Sequence, residues 1–419
     1  MSKPSFSTHH GMVDLLPDEI GQWQALEQIV HETAQLFHFQ EIRTPVLEQT
    51  ELIARGVGQL TDIVSKEMFT FNRGEDHYVL RPEGTAPVAR AYIQHHLDQR
   101  GGVQRLYYIG PFFRAERPQK GRQRQFHQFG AELIGAHGAL ADAEIIAFML
   151  AIYRQVGISN TTLKLNSVGD PSARQTYHKV LYNYFQPLAN QLSDISRKRL
   201  ETNPMRILDS KEEQDQPLLA NAPVITDYLN AHSRAHFDKL VSHLENLEIA
   251  YELDTFLVRG LDYYTETAFE LISPDLGSQD ALGGGGRYDL LIEEVGGSPT
   301  PAVGFACGME RLMIACNTLG ISLTAATGPD VYFVTRGDEA ACWALHTMPR
   351  LREKGLVCTM DYSGRSIKSQ MKDADRQQAR YALIVGEQEL SENRFTLRNM
   401  ARSEEIPVTP EELIDLVRL

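Results

Sequence analysis

The 419-residue sequence predicts an α+β fold, with an antiparallel sheet and flanking helices, a helical insertion and a C-terminal α/β domain. Three observations predict this. Two β-rich segments, "RLYYIGPFFRAERP" and "RQFHQFGAELIG", flank a basic loop, which favours an antiparallel pair over a βαβ unit. Polar residues with helical spacing fill positions 172–250. Beyond Asp330, short apolar strands alternate with helical stretches.

The first hundred residues combine a helix with extended segments. Apolar residues recur at helical spacing from Asp18 to Phe39, and Pro17 with Asp18 is a helix start signal. We expect "EIRTPVLEQTELI" to be extended, because Pro45 forbids a helix through it. The stretch "EMFTFNRGEDHYVLRPEGTAPVARAYI" is β-like, and "NRGED" predicts a hairpin turn within it.

The middle of the chain alternates between helical and extended patterns. Asp142 to Val156 predicts a helix, and "YELDTFLVRGLDYYTETAFELIS" predicts strand structure. We interpret "LGGGGRYD" as a tight turn with positive φ angles. "PAVGFACGMERLMIACNTLG" predicts a strand that leads into a helix. A boundary is expected at "TAATGPD", which separates a core over residues 1–325 from a domain over 330–419.

Composition indicates an ordinary globular protein, with 42% hydrophobic and 23% charged residues. The four cysteines form no C-x-x-C pair, so we expect them to be reduced in a cytoplasmic protein. The N-terminus lacks an apolar segment typical of a signal peptide, and no run of about 18 apolar residues predicts a membrane span. A net charge of -14 argues against indiscriminate nucleic-acid binding but allows a local basic patch.

Such a patch lies in "FRAERPQKGRQRQFHQFGAE", residues 113–132. It is either a solvated loop or a site for a polyanion. The common phosphate-binding patterns G-x-x-x-x-G-K-[ST] and G-x-G-x-x-G are absent. Three other fragments could contribute to a site, namely "RPEGTAPVAR", "LVRGLDYYTETAFE" and "GFACGMERL".

Together these fragments resemble class II aminoacyl-tRNA synthetases, and among them the histidyl-tRNA synthetases. "IRTPVLE", with Pro45, is similar to motif 1, which builds the dimer interface of that family. The basic stretch is similar to motif 2, and "GFACGMERL" to motif 3. "LVRGLDYY" and "GGGRYD" resemble the two histidine-specific signatures. One departure is His10, which stands where the family's entry motif R-G-M-x-D has arginine.

The resemblance implies a set of phosphate-binding residues. Negative charge spreads over the phosphoryl oxygens when histidine attacks the α-phosphorus of ATP, so fixed cations are the main catalytic device. By resemblance, Arg114 contacts the histidine carboxylate and the α-phosphate, Arg259 contacts the α-phosphate, and Arg311 contacts the terminal phosphates. Glu116 is expected to face the adenine, and Arg122 to turn inward to ATP.

The resemblance also implies a pocket that distinguishes imidazole from side chains of similar size, which a site does best with hydrogen bonds to both ring nitrogens. Glu132 and Tyr264 are the expected ring partners. The remaining histidine-site candidates bind the ammonium and carboxylate or line the pocket: Glu83, Gly84, Thr85, Arg114, Gln128, Arg259 and Tyr263. Lys120 and Arg124, near the loop tip, are assigned to the tRNA acceptor end.

The family further implies a catalytic core over residues 1–325 with an insertion at about 172–250, and an anticodon-binding domain over 330–419. Expected partners are L-histidine, tRNA(His), ATP as substrate with Mg²⁺, and a second copy of the chain, with no membrane. No H-x-x-x-H helix face occurs, so no structural zinc is predicted.

One alternative is the synthetase-like regulatory subunit of ATP phosphoribosyltransferase, which senses histidine without aminoacylation. Arg114, Arg259, Arg311 and the apparent anticodon domain count against it. A nonspecific RNA-binding scaffold fits poorly with the charge of -14.

Overall fold

The computed structural model describes residues 6–58, 61, 63–258, 261–324 and 328–418. The chain forms two compact units, residues 1–323 and 324–419. The helices are α1 (Pro17–Leu36), α2 (Thr50–Val57), α3 (Thr85–Gln94), α4 (Ala139–Val156), α5 (Pro171–Phe185), α6 (Asp194–Thr202), α7 (Gln216–Leu219), α8 (Ala231–Asn246), α9 (Leu291–Glu294), α10 (Met309–Leu319), α11 (Asp338–Arg352), α12 (Ile367–Arg376), α13 (Glu387–Glu392) and α14 (Pro410–Arg418).

The strands form three sheets. They are β1 (Gln40–Glu41), β2 (Leu47–Gln49), β3 (Phe69–Arg73), β4 (Asp76–Leu80), β5 (Gln104–Phe113), β6 (Gln125–Ile134), β7 (Thr162–Gly169), β8 (Glu252–Leu253), β9 (Thr265–Ile272), β10 (Ala281–Arg287), β11 (Ala302–Gly308), β12 (Val331–Thr335), β13 (Cys358–Met360), β14 (Tyr381–Val385), β15 (Phe395–Asn399) and β16 (Glu405–Val408).

The largest sheet has eight strands in the order β1-β5-β6-β11-β10-β9-β7-β8. Its six central strands pair antiparallel, and only the two-residue edge strands β1 and β8 pair parallel. The predicted antiparallel pair around the basic loop is confirmed as β5 and β6, in register from Gln104 opposite Ile134 to Phe113 opposite Gln125.

One core cluster joins this sheet to α1, α4 and α10. The predicted helical spacing of α1 is confirmed, because Trp23, Leu26 and Val30 are buried in that cluster. From α4, Phe148 and Ile152 are fully buried in the same cluster. The other face of the sheet packs against α3 in a second core cluster.

The hairpin predicted at "NRGED" is confirmed, with β3 and β4 paired antiparallel and β2 added beside β4. Two expectations nearby are wrong. Residues 85–94 are not β-like but form α3, because Pro87 lies in its first turn, where a missing N–H costs nothing, and alanines follow. The segment after Pro45 is extended only to Gln49, and α2 begins at Thr50.

Helices and short 3₁₀ turns connect β7 to β8, with no strand among residues 170–251. The buried side chains of Tyr177, Leu181, Phe185 and Ile207 belong to a core cluster that also contains residues of α3, β5 and β9. At the end of the segment, α8 packs against α4 through Phe237 and Leu240, which belong to the main core cluster. The segment therefore packs against the large sheet and its helices through both clusters.

The interpretation of "LGGGGRYD" as a tight turn is wrong, because Gly283–Gly286 lie inside strand β10. The reason for the glycines is close approach of neighbouring main chain. A Cβ on Gly285 would lie 1.9 Å from the carbonyl oxygen of Gly304, and one on Gly283 would lie 2.3 Å from Sγ of Cys307. Side chains at these positions would push β10 away from β11.

A buried ion pair follows the glycines. Arg287 ends β10 with its guanidinium 1% exposed, and its Nε donates to Oδ1 of Asp142 over 2.9 Å. The other carboxylate oxygen of Asp142 lies 2.8 Å from Nε2 of His236 on α8 and accepts from the Thr267 hydroxyl. Burial opposes ionisation of the Asp142 carboxyl, but the Arg287 charge and the hydrogen bonds from His236 and Arg287 together lower its pKa. Four elements, α4, α8, β9 and β10, are therefore joined at this carboxylate.

The C-terminal unit is a five-stranded sheet in the order β13-β12-β14-β15-β16, with β13, β12 and β14 parallel. The alternation of strands and helices predicted beyond Asp330 is confirmed by β12 to β15 with α11 and α12. The sequence pattern did not predict β16, α13 or α14. No described helix in either unit is both long and apolar enough for a membrane span.

Candidate active site

An open cavity of ≈ 470 Å³ lies over β6, β10 and β11. The predicted site residues that line it come from α3, the basic loop, β6, the segment before β9, and α10: Glu83, Gly84, Thr85, Arg114, Glu116, Arg122, Gln128, Tyr263, Tyr264 and Arg311. Its floor is largely main chain, from Gly283, Gly284, Gly304 and Gly308. The fold therefore brings together polar groups from distant parts of the sequence, since Glu83 and Arg311 are 228 positions apart. They surround a floor that is largely main chain.

Glu83 lies just before α3 and is buried. Its carboxylate accepts hydrogen bonds from the backbone N–H groups of Thr85 (2.7 Å) and Ala86 (2.9 Å), which the helix itself leaves unpaired. Burial raises the pKa of this carboxyl, against the effect of those two hydrogen bonds and the Arg114 charge. Glu83 is thus positioned at the cavity wall by the start of the helix.

Glu132 lies on β6 beneath the wall, and it is 1% exposed. Its Oε1 accepts from the Thr85 hydroxyl over 2.8 Å and from the Tyr108 hydroxyl over 3.4 Å, and its Oε2 accepts from Tyr288. Burial raises the pKa of Glu132 to about 8. Glu132, the predicted partner of the imidazole ring, therefore lies behind Thr85 and does not itself line the cavity.

Gln128, also on β6, faces the cavity with an unused acceptor. Its Oε1 is buried and has no hydrogen-bond partner among the described residues. A buried amide oxygen without a partner costs about 1–3 kcal/mol. A ligand that donates an N–H here would remove that cost.

Tyrosines close one side of the cavity. The rings of Tyr263 and Tyr264 lie 4.8 Å apart, and Tyr263 meets Tyr288 edge-on at 5.6 Å. Burial raises the pKa of Tyr263 well above its ordinary value, so this hydroxyl stays protonated. The wall is thus aromatic with hydroxyl groups at its rim, which suits a flat polar ring.

Positive charge gathers at the other end. Arg311 donates from Nη1 to the Ala281 carbonyl over 2.7 Å. Its pKa is lowered, first by burial and then by the positive charge of Arg122. Arg122 is 3.3 Å from Glu116, and Arg114 donates to the Pro82 carbonyl over 3.0 Å and lies over the Phe126 ring. Half-buried arginines that repel one another favour an anion between them.

Arg124 and Lys120 do not line this cavity. Arg124 donates from Nε to the Glu116 carbonyl over 3.3 Å, and its own N–H donates to Gly11, so it braces the base of the loop. Lys120 is exposed and lines a smaller hollow beside Gly121 and Arg311. Arg259 lies outside the described residues.

Several residues of the cavity were not predicted. Arg199, Arg206 and Lys211 reach it from the segment between β7 and β8, whose polar helical pattern carries no signal for them. Glu270 and Asp280 line the cavity near Arg311. Tyr288 belongs to the quoted "GGGRYD" fragment, so its signal was present.

Glu310 was also missed, although it lies in "GFACGMERL". Its Oε1 accepts from the backbone N–H of His127 over 2.8 Å and lies 3.1 Å from Nδ1 of the same residue. This contact joins the first turn of α10 to β6. It therefore sets the position of Arg311 relative to Gln128.

Two family models match the chain. The model described as histidyl-tRNA synthetase matches residues 11–312, and the one described as an anticodon binding domain matches residues 330–418. The first therefore contains every described residue of the cavity.

Relatives and solved structures agree with the models. The chain is 47% identical over 405 residues to the histidine--tRNA ligase of Synechococcus sp. (strain JA-3-3Ab), and the matched region covers 96% of each of the two chains. It is similar to the crystal structure of apo S. aureus histidyl-tRNA synthetase, with 36% identity, a TM-score of 0.84, and coverage of 99% and 100% of the two chains. A Bacillus halodurans structure titled ATP phosphoribosyltransferase regulatory subunit/histidyl-tRNA synthetase shares 25% identity, with a TM-score of 0.67, over 92% and 99%.

Proposed function

The chain belongs to the histidyl-tRNA synthetase family, and we propose how its cavity carries out that family's reaction. As a histidine–tRNA ligase, the protein activates L-histidine with ATP to histidyl-adenylate and transfers histidine to the 3′ end of tRNA(His). The cavity supports this assignment because it pairs an acceptor-rich end, suited to an amino acid, with a cationic end, suited to polyphosphate.

The histidine end lies between α3, β6 and the tyrosines. The unpartnered Gln128 oxygen and the buried Glu83 carboxylate accept from the substrate ammonium. Glu132 and Tyr264 bind the imidazole. Glu132 acts through Thr85, which lines the cavity and whose hydroxyl donates to the Glu132 carboxyl group. Gly84 leaves room for this arrangement, since a Cβ there would lie 2.3 Å from the Tyr108 ring. Tyr263 completes the wall.

The phosphate end is the observation that carries the proposal: Arg114, Arg122 and Arg311 line one cavity with the histidine-site residues. Arg114 and Arg259 bind the reacting carboxylate and α-phosphate, and Arg311 with Arg122 binds the terminal phosphates. Glu116 faces the adenine. Mg²⁺ accompanies ATP, and the Glu270 and Asp280 carboxylates supply the oxygen ligands that this ion prefers.

Histidine-dependent exchange of pyrophosphate into ATP tests the assignment. We expect exchange by the wild type, a fall of roughly a hundredfold in Arg311→Ala, and full activity in Arg154→Ala, an exposed arginine on α4. Histidine binding without any exchange would instead favour the histidine-sensing regulatory subunit, because a sensor binds the amino acid and forms no adenylate.

The tRNA contacts extend beyond the cavity. Lys120 and Arg124 lie on and beside the basic loop, where the acceptor end must approach the adenylate. Residues 330–419 bind the anticodon end, which agrees with the family model matched there. The acidic balance of the chain means that local patches make these contacts.

The protein acts as a homodimer in the cytoplasm. The segment from Ile42 to Glu48 contains Pro45, which lines a groove. Val46 and Leu47 of the same segment have exposed apolar side chains. A second copy would cover these side chains. The four cysteines are free thiols, which agrees with a reducing compartment. The mass of the protein in solution tests the dimer.

A further inference from the structure

Two helices between β7 and β8 meet strand β9 at a cluster of three metal-binding side chains. Asp170 precedes α5, His232 lies in the first turn of α8, and Glu266 is the second residue of β9. One ligand atom of each residue lies within 4.8 Å of the other two. The cluster is separate from the cavity, whose lining includes none of the three.

Glu266 supplies an independent observation that points to a ligand. Its side chain is only 4% exposed, yet Oε2 has no hydrogen-bond partner among the described residues. Oε1 is occupied, since it accepts from the Ser233 hydroxyl over 2.9 Å and lies 3.3 Å from Nδ1 of His232. A buried carboxylate oxygen without a partner is costly unless a cation or donor reaches it.

The surroundings hold the three groups in place without neutralising them. Asp170 accepts from the backbone N–H of Ala173 (2.8 Å) and from the Asn230 amide (2.8 Å), both uncharged donors. His236, on the same helix as His232, is held by its contact with Asp142. The two carboxylates and the His232 ring therefore lie together, held by uncharged hydrogen-bond donors.

We propose that Asp170, His232 and Glu266 form a binding site for one divalent zinc ion per chain. An imidazole nitrogen and two carboxylate oxygens are ligands that Zn²⁺ accepts, with water in the fourth position. The exposed His232 ring gives the ion a path from solvent, and the neighbouring hydrogen bonds orient the two carboxylates. Sequence spacing did not reveal the site, because its members are 62 and 34 positions apart (170 to 232, 232 to 266).

The position of the site gives it a structural role. A bound ion joins the starts of α5 and α8 to β9, directly after the tyrosine segment of the cavity. Since the ligands come together only in the folded chain, binding stabilises the native state. The ion takes no part in the adenylation step, because the cluster is not in the cavity.

Calorimetric titration of Zn²⁺ into the full-length, chelator-stripped protein tests the proposal. We expect one equivalent per chain that raises the unfolding temperature. His232→Ala should weaken this binding at least tenfold, and the exposure of its ring makes this variant safe to fold. His243→Ala, on the same α8 but outside the cluster, is the matched control and should bind as the wild type does.

Two further measurements decide the outcome. Co²⁺ bound at the site should give a visible absorption band, which should disappear when Zn²⁺ displaces the cobalt. The band should be weaker in His232→Ala and in Glu266→Gln. Mg²⁺ alone should not compete, because it demands a shell of oxygen ligands. Equal zinc affinity in wild type and His232→Ala, or no cobalt spectrum, would overturn the site. Loss of adenylation with zinc binding intact would count against the proposed function only.

Discussion

The hydroxyl of Thr85 donates to Oε1 of Glu132 over 2.8 Å, which joins the N-terminus of α3 to strand β6. Gln128 lies on the same strand. Gly84, the residue before Thr85, lies close to the Tyr108 ring, and the Tyr108 hydroxyl also donates to Glu132. The amino-acid end of the cavity is therefore one connected network. We expect a change at Glu132 to alter ligand recognition at this end and to leave the cationic end unchanged.

Glu132→Gln should impair histidine recognition selectively. The amide keeps the size of the side chain but replaces one of the two carboxyl oxygens that accept from Thr85 and Tyr288 with an NH₂ group, and a buried hydrogen bond lost in this way costs about 1–3 kcal/mol. We expect the KM for histidine to rise about 10- to 100-fold, with the KM for ATP changing little, in pyrophosphate exchange. The exposed Glu245→Gln on α8 is the control. Equal effects on both substrates would mark Glu132 as purely structural.

The same residue should make stability depend on pH. Burial raises the pKa of Glu132 from 4.5 to about 8, so the folded chain holds a proton that the unfolded chain releases between these values. The contribution of Glu132 to the free energy of unfolding is fully present below about pH 4.5 and is lost as pH rises through about 8.

Urea unfolding of the wild type and Glu132→Gln at pH 5 to 8 measures this effect. Over that window the free energy of unfolding of the wild type should fall by up to about 1.4 kcal/mol per pH unit more than that of the variant, which is the value for one bound proton. Parallel pH dependences in the two proteins would contradict the burial of an ionisable carboxyl at this position.

Arg259→Ala tests the residue assigned to the α-phosphate. Removing one cation that stabilises the transition state should lower pyrophosphate exchange roughly a hundredfold or more. Folding should persist, which circular dichroism can check, because the role assigned to Arg259 is ligand binding. Full exchange activity in the variant would remove it from the adenylation step.

A chain that ends at Thr327 should separate the two steps of the reaction. The cavity lies entirely before this point, so histidyl-adenylate formation should survive. Charging of tRNA(His) should fall by orders of magnitude, because a second anchoring site raises the effective concentration at the first. The charging that remains should be less sensitive to salt, since fewer phosphates are contacted.

The mass of the truncated protein must be measured alongside, because residues 330–419 could brace the dimer. A dimeric truncation that charges tRNA as well as the full chain would show that these residues do not read the anticodon.

Periodicity predicted the elements whose burial follows one face. Trp23, Leu26 and Val30 mark α1, and β5 with β6 pair as expected. The errors arose where local propensity and tertiary contact disagree. Gly283–Gly286 resemble a turn in isolation, but the close main chain of β11 requires glycine in a strand. Nothing in the local sequence reports the distance to Gly304.

Most of the predicted site residues that line the cavity lie within fragments that resemble the family's motifs, and the resemblance gave each of them a role. Arg199, Arg206 and Lys211 were not predicted, because their approach to the cavity depends on how the segment between β7 and β8 folds back. The depth of Glu132 was equally hidden. Its burial behind Thr85 and Tyr288 follows from the register of β6 against β11, where it lies opposite Gly304.

The glycine floor of the cavity has a consequence for inhibitor resistance. Gly283 and Gly304 present only backbone to a bound molecule, and a Cβ on either would collide within 2.3 Å or less with Cys307 or Glu132. A drug that rests on this floor contacts atoms that no single substitution can alter without disturbing the sheet. Escape mutations should therefore arise on the walls, among side chains such as Gln128 and Arg122, and seldom beneath the ligand.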